Sequence, residues 1–170
     1  QYHVIFQQDG FNRSIGKVVD PNRPDYLNGL QLTQVNQLDH NNRVFIHVDP
    51  KEQKTYFFYD ACDNKRFKVD AEGCVTEWMY DVNNHVIARK RYAATLTTLS
   101  TTSTLSDCEN WAQTNASKRD ASSYFFYDHN DRERFTLVYV DVLNALTAQL
   151  VVNESRYDGA NRIIERIGYA

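Results

Sequence analysis

Residues 56–81 run Tyr56-Phe57-Phe58-Tyr59-Asp60-Ala61-Cys62-Asp63-Asn64-Lys65-Arg66-Phe67-Lys68-Val69-Asp70-Ala71-Glu72-Gly73-Cys74-Val75-Thr76-Glu77-Trp78-Met79-Tyr80-Asp81. Short runs of aromatic and β-branched residues alternate with polar groups led by aspartate. Lys54–Tyr59, Arg66–Val69, Val75–Tyr80 and, just downstream, His85–Tyr92 each carry strand-forming residues bounded by Asp, Asn or Gly. Between them an aspartate side chain can accept the backbone N–H two residues on, and a residue three positions on must take the left-handed conformation that closes a tight turn. Asn and Asp tolerate that conformation, and glycine, as at Gly73, adopts it freely.

Working outward, the pattern repeats. Asp39, Asp60 and Asp81 lie 21 residues apart, with Val48-Asp49 and Val69-Asp70 midway between them at the same spacing. A longer copy follows: Tyr56-Phe57-Phe58-Tyr59-Asp60 recurs as Tyr124-Phe125-Phe126-Tyr127-Asp128, and Arg66-Phe67 recurs at the same 68-residue offset as Arg134-Phe135. Tyr80-Asp81, Asn84, Ile87, Arg89 and Tyr92-Ala93 then match Tyr157-Asp158, Asn161, Ile164, Arg166 and Tyr169-Ala170. The turn pairs are Asp9 with Asn12, Asp39 with Asn42, Asp60 with Asp63, Asp81 with Asn84, Asp128 with Asp131, Asp141 with Asn144, and Asp158 with Asn161.

Turns about every ten residues between strands of about five predict an all-β fold, an antiparallel meander of short strands forming a single domain over residues 1–170. Strand alternation puts Thr76, Trp78 and Tyr80 on one face and Val75, Glu77 and Met79 on the other. Two segments depart from the repeat. Pro21 to Leu30 holds turn formers and loops out. Ala94 to Ser123 is an insertion at the surface: its Ser/Thr-rich start is loop, and Ser106-Asp107-Cys108-Glu109 resembles a capping box opening a short helix over about 106–116, anchored by Trp111.

Composition narrows the function. With 24% charged residues and a net charge of -3, no strong field favours nucleic acid. No apolar run reaches the length of a spanning helix, so no membrane span is expected. Cys62, Cys74 and Cys108 are an odd number without a C-x-x-C pair, which argues against a disulfide framework or structural zinc. The histidines (His3, His40, His47, His85 and His129) stand singly. Asp128-His129-Asn130-Asp131 offers oxygen ligands but lacks the glycine and terminal glutamate of a calcium loop. Regularly spaced aspartates are explained by turn formation before paired-carboxylate catalysis is needed, and no phosphate loop or nucleophile elbow is present. The expectation is no catalytic residue, no cofactor and no metal. Tyr56, Phe58, Trp78, Tyr80, Trp111, Tyr124 and Phe126 are the candidates for a binding surface, against the plainer reading that such aromatics pair across strands to hold the sheet.

Tyr59-Asp60, Val69-Asp70-Ala71-Glu72-Gly73, Thr76, Tyr80-Asp81 and Arg91-Tyr92-Ala93 together resemble the Rhs/YD-repeat family, although Asn or Asp often stands here where that family's Asp-x-x-Gly-Arg turn has glycine, and Cys62-Asp63-Asn64-Lys65 reads as one residue longer than that turn. The resemblance implies a β-sheet strip that coils into a hollow shell, enclosing a toxic segment in bacterial toxin-complex and Rhs proteins and belonging to an adhesion protein in teneurins. It implies a secreted or cell-surface bacterial protein whose partners are further YD repeats and an enclosed polypeptide. The alternative is a binding module of an adhesin that grips a glycan or a protein. No segment matches the region where some relatives cleave themselves, so self-cleavage is not expected.

Overall fold

The computed structural model describes residues 4–10, 13–19, 32–141 and 148–169. The strands are β1 (Val4–Gln8), β2 (Ser14–Val19), β3 (Leu32–Leu38), β4 (Val44–Val48), β5 (Lys54–Tyr59), β6 (Lys65–Val69), β7 (Cys74–Tyr80) and β8 (Val86–Thr95). A helix, α1 (Leu105–Asn115), precedes β9 (Ala121–Tyr127), β10 (Glu133–Asp141), β11 (Ala148–Tyr157) and β12 (Ile163–Tyr169). Among the described residues, twelve strands form one antiparallel sheet in sequence order, with β1 and β12 outermost. The expected all-β meander with one short helix is what the chain adopts. The Pro21–Leu30 loop, Asn12, Asn144 and His3 lie outside the described residues, and Asp141 closes β10 where its turn leaves them.

Each Asp-led turn is built the same way. At Asp60, the backbone N–H donates to the Asn64 carbonyl at 2.9 Å and the Asp60 carbonyl accepts from Asp63 N–H at 3.2 Å. Asp60 Oδ1 then accepts the N–H groups of Cys62 and Asn64, each at 2.9 Å. Asn42, Asp63, Asn84, Asp131 and Asn161 occupy the left-handed region at φ between 59° and 66°, and Gly73 does so at 81°. The Asp60 turn is therefore no longer than its neighbours, correcting the sequence expectation: Asp39 and Arg43 close the same five-residue loop. The strand leaving the turns at Asp39, Asp60 and Asp128 carries a β-bulge, at Phe45, Arg66 and Arg134, which admits one unpaired residue and resets the side-chain alternation, whereas the turns at Asp49 and Asp70 lead into strands paired without a shift.

The register carries one face of the sheet from Tyr56 and Phe58 on β5 through Phe67 and Val69, Val75 and Glu77, Ala88 and Lys90, to Ser122 and Tyr124 on β9. The same face continues through Leu137 and Tyr139 on β10, Leu150 and Val152 on β11, and Tyr169 on β12. Helix α1 packs on this face over β4–β8, where Ile46, Phe58, Phe67, Val69, Val75, Tyr92 and Leu96 form the core with Cys108 and Ala112 of the helix. The excursion is thus more than a surface insertion, because it supplies the second layer without which a single sheet has no interior. Its bounds also shift: β8 runs through Thr95, and β9 begins at Ala121. The helix starts one position earlier than expected. Thr104 is the N-cap, and its side chain accepts from Asp107 N–H while Asp107 Oδ2 accepts from Thr104 N–H at 2.8 Å. The box is Thr104 with Asp107 rather than Ser106 with Glu109.

Candidate functional site

Along one edge of the sheet the turns interlock. Where a tyrosine precedes the turn aspartate, it reaches back to the preceding turn on that edge: Tyr59 Oη donates to the Val44 carbonyl at 3.0 Å, Tyr80 to Lys65 at 2.9 Å, Tyr127 to Val86 at 2.9 Å and Tyr157 to Glu133 at 2.7 Å. Each acceptor begins the strand that leaves a turn, where the bulge frees its carbonyl. The residue after the left-handed position reaches forward instead. Arg43 Nη1 donates to Asp63 Oδ1 at 2.6 Å, Asn64 Nδ2 to Asn84 Oδ1 at 2.8 Å, and Arg132 Nη1 to Asn161 Oδ1 at 2.9 Å; Arg13 bonds Asn42 in the same way. Arg43 and Arg132 also lie over the Tyr59 and Tyr157 rings at 4.5 and 4.7 Å, and His85 stacks on Tyr127 at 4.7 Å. Sequence reasoning assigned the aspartate its role and missed that of its two neighbours. The recurrence of arginine at 13, 43, 132 and 162 was the available signal.

These turn carboxylates are occupied by structure. Asp128 Oδ1 accepts N–H groups of Asn130 and Arg132, and its Oδ2 takes Arg132 Nε at 2.8 Å. The side-chain hydrogen bond from Arg132, against a smaller opposing effect of desolvation, brings the Asp128 carboxyl down to about 2. Asp128 remains charged and fully partnered at neutral pH, which leaves it neither a proton acceptor nor an open ligand.

The predicted aromatics do not meet on one surface. Tyr56 and Phe58 are buried in the core under α1, and Phe45 packs edge-on to both at 6.2 and 5.6 Å. Trp78 and Tyr80 point to the opposite face, where Lys65 Nζ lies 5.1 Å from the Trp78 ring. Trp111 packs edge-on to Tyr92 at 5.2 Å from the helix. Tyr124 and Phe126 share the face of Tyr56 but lie beyond the cover of α1, 45% and 50% exposed.

Two acidic clusters mark the covered and uncovered parts of that face. Under the helix, Glu77 accepts Tyr92 Oη at 2.6 Å and Arg66 Nη2 at 3.2 Å. Burial, reinforced by the Glu77 carboxylate, pushes the Tyr92 phenol well above its ordinary value. Burial likewise pushes the Cys108 thiol up to about 12, so that cysteine stays protonated. Beside this cluster, buried Asp120 pins the end of the excursion: its carboxylate accepts Ala93 N–H at 2.9 Å and Ser117 N–H at 2.8 Å and pairs with Lys90 at 3.0 Å. Burial alone would raise the Asp120 carboxyl, but these partners outweigh it and lower it. In the matched positions on β11 and β12, Glu154 accepts Tyr169 Oη at 2.7 Å, Arg134 Nη2 at 2.8 Å and Arg156 Nε at 3.2 Å. Hydrogen bonds from Tyr169, then Arg134 and Arg156, hold Glu154 at about 2.

No family model matches this chain, and no curated protein resembles it closely enough to count as a match. Among solved structures, the crystal structure of TcdB2-TccC3-TEV aligns over 98% of this chain with a TM-score of 0.58 and 11% identity. The Photorhabdus luminescens Tc holotoxin pore, carrying a TccC3 mutation, aligns over 91% with a TM-score of 0.50 and 10% identity. The chain spans 8% of the length of each of these neighbours. At that identity the likeness is one of fold: this chain is folded as the Rhs/YD-type β-strip found in the Tc toxin structures, in keeping with the resemblance of its Tyr-Asp turns.

Proposed function

We propose that this chain is a length of scaffold wall in a larger exported toxin-type protein, non-catalytic in itself, whose work is to enclose or present another polypeptide. The observation that carries this reading is the continuous meander locked along one edge, in which the chemically conspicuous side chains are spent on structure: the tyrosines tie each hairpin to the preceding turn, and the aspartates close their own turns. The fold likeness to Tc toxin components supports it. Beyond α1 the sheet leaves Tyr124, Phe126, Leu150 and Tyr169 on one face, each at least 45% exposed, and this is the face offered to the enclosed polypeptide.

A photo-crosslinking phenylalanine analogue at Leu150, on that face, and at Val151, on the opposite one, tests the reading in the protein as its producing cell makes it. A single defined polypeptide crosslinked from position 150 and absent from position 151 is the expected result. Equal labelling from both faces, or none from either, overturns it.

A further inference from the structure

On the face opposite α1 the register sets two rows of side chains across neighbouring strands. Lys68, Thr76, Arg91 and Ala121 stand side by side on β6–β9, and Trp78, Arg89, Ser123 and Val138 stand side by side on β7–β10. The small residues Thr76, Ala121 and Ser123 alternate with long ones, so the sheet surface sinks between them into a depression of about 500 Å³. Its rim is cationic. Among the described residues no carboxylate lies within ion-pair distance of Lys68, Arg89 or Arg91, although Arg43, Arg66, Arg132, Arg134, Arg156 and Arg162 on the same sheet all have one. The acidic side chain in the depression, Asp70, uses Oδ1 on the N–H groups of Glu72 and Cys74 in its own turn.

The second copy of the repeat shows that these residues are not demanded by the fold. The same rows on β10–β12 hold Thr136, Asn153 and Gly168, then Ser155 beside Arg166, around a smaller hollow of about 260 Å³. Lys68 is thus matched by Thr136, Trp78 by Ser155 and Arg91 by Gly168, while the turn aspartates, the tyrosines and the Glu77 cluster keep their counterparts. The strands of the second copy pair with threonine, serine and glycine at these places, so strand pairing does not require lysine, tryptophan and arginine there.

We infer that the depression on β6–β10 is a binding site for a short acidic saccharide bearing uronate or sulfate groups. Arg89 and Arg91, two residues apart on the same face of β8, leave the backbone about 7 Å apart, and each guanidinium can take an oxyanion bidentately. Lys68 adds a third positive charge across the floor. Trp78 supplies a flat apolar wall for a sugar ring, and the Thr76 and Ser123 hydroxyls supply hydrogen bonds. A volume of this size suits a small ligand. An acidic peptide suits it less, because the strand backbone beneath is already paired within the sheet and leaves the peptide's own amides without partners. This inference stands apart from the wall reading, since either can hold without the other.

Calorimetric titration of the 170-residue chain with a heparin-derived tetrasaccharide, a desulfated uronate-containing tetrasaccharide, neutral cellotetraose and tetraglutamate tests it. One or both acidic sugars should bind at least tenfold more tightly than cellotetraose and tetraglutamate, and the two acidic arms separate sulfate from uronate recognition. Arg91→Gly and Trp78→Ser install the residues that the second copy already carries, and each should weaken acidic-sugar binding by about tenfold with the melting temperature nearly unchanged. Arg166→Gln, in the smaller hollow, should change it less than twofold. Absence of acidic-sugar binding, equal or tighter binding of tetraglutamate, or an equal loss in Arg166→Gln and Arg91→Gly would each overturn the assignment. If Trp78→Ser proves unstable, the Arg91→Gly and Arg166→Gln pair decides alone.

Discussion

Phe67 and Phe135 occupy the same place in two copies of one hairpin, each just past the bulge and each paired to the strand that ends in Tyr-Phe-Phe-Tyr. Phe67 is completely buried because α1 lies over it, whereas Phe135 is only partly so. The acidic residues behave differently. Glu77 and Glu154 are 6% and 4% exposed, so the carboxylate is as secluded in the uncovered copy as in the covered one. In the covered copy the helix and Tyr92 exclude water; in the other, Arg134, Arg156 and Tyr169 close over Glu154 themselves. Apolar burial in this sheet depends on a second layer, while seclusion of a charge can be achieved within one.

The sharpest way to break that comparison is to truncate both phenylalanines. Phe67→Ala removes a fully enclosed ring from the β5–β8 core and should cost about 3–5 kcal/mol, the usual range for emptying such a site. Phe135→Ala removes the same ring from a surface without a lid and should cost about 1 kcal/mol. Urea denaturation followed by tryptophan fluorescence measures both. Equal losses would mean that α1 contributes little to the core and that the sheet is stable as a single layer.

A smaller effect tests whether the edge ladder is independent of the lid. Tyr80→Phe and Tyr157→Phe each delete one hydroxyl-to-carbonyl bond, the first beside the covered core and the second beyond it. Each should cost about 1 kcal/mol, and the two should agree within about half of that, because a bond of this kind depends on its local partner more than on distant burial. A loss confined to Tyr80→Phe would make the ladder a consequence of the helix-covered core instead of a feature of the strip.

Much of this was legible in the residues. Asp39, Asp60 and Asp81 announced the turns because a local hydrogen bond from a side chain to its own loop depends on few residues, all adjacent in sequence. The grouping of Tyr56, Phe58, Trp78 and Tyr80 was not legible. All four have even numbers, but the turn and the bulge between strands change the parity, so the first pair faces the helix and the second faces away. The position of α1 could be read to within one residue, although from the wrong capping pair, while its use as the roof of the core depended on where a long excursion folds back. That is set by Asp120 reaching Lys90 and Ala93, contacts to a distant strand that no local pattern reveals.

The least perturbing substitution addresses the uncovered cluster and is read as pH dependence. Glu154 is held at about 2 against an ordinary value of 4.5, so its carboxylate is bound more favourably in the folded chain than in the unfolded one. For a carboxyl lowered in this way, the contribution to stability is complete above the ordinary value and disappears as the pH falls through that value toward 2, where both states become protonated. Wild type should therefore exceed Glu154→Gln in melting temperature by a constant margin above about pH 5.5, with the margin narrowing between pH 4.5 and 2 and nearly gone below. High salt should shrink the margin, because Arg134 and Arg156 are 44% and 46% exposed and their attraction is screened. A margin unchanged from pH 7 to pH 2 would mean that Glu154 serves by shape and hydrogen bonding alone, and that charge does not do for this half of the sheet what α1 does for the other.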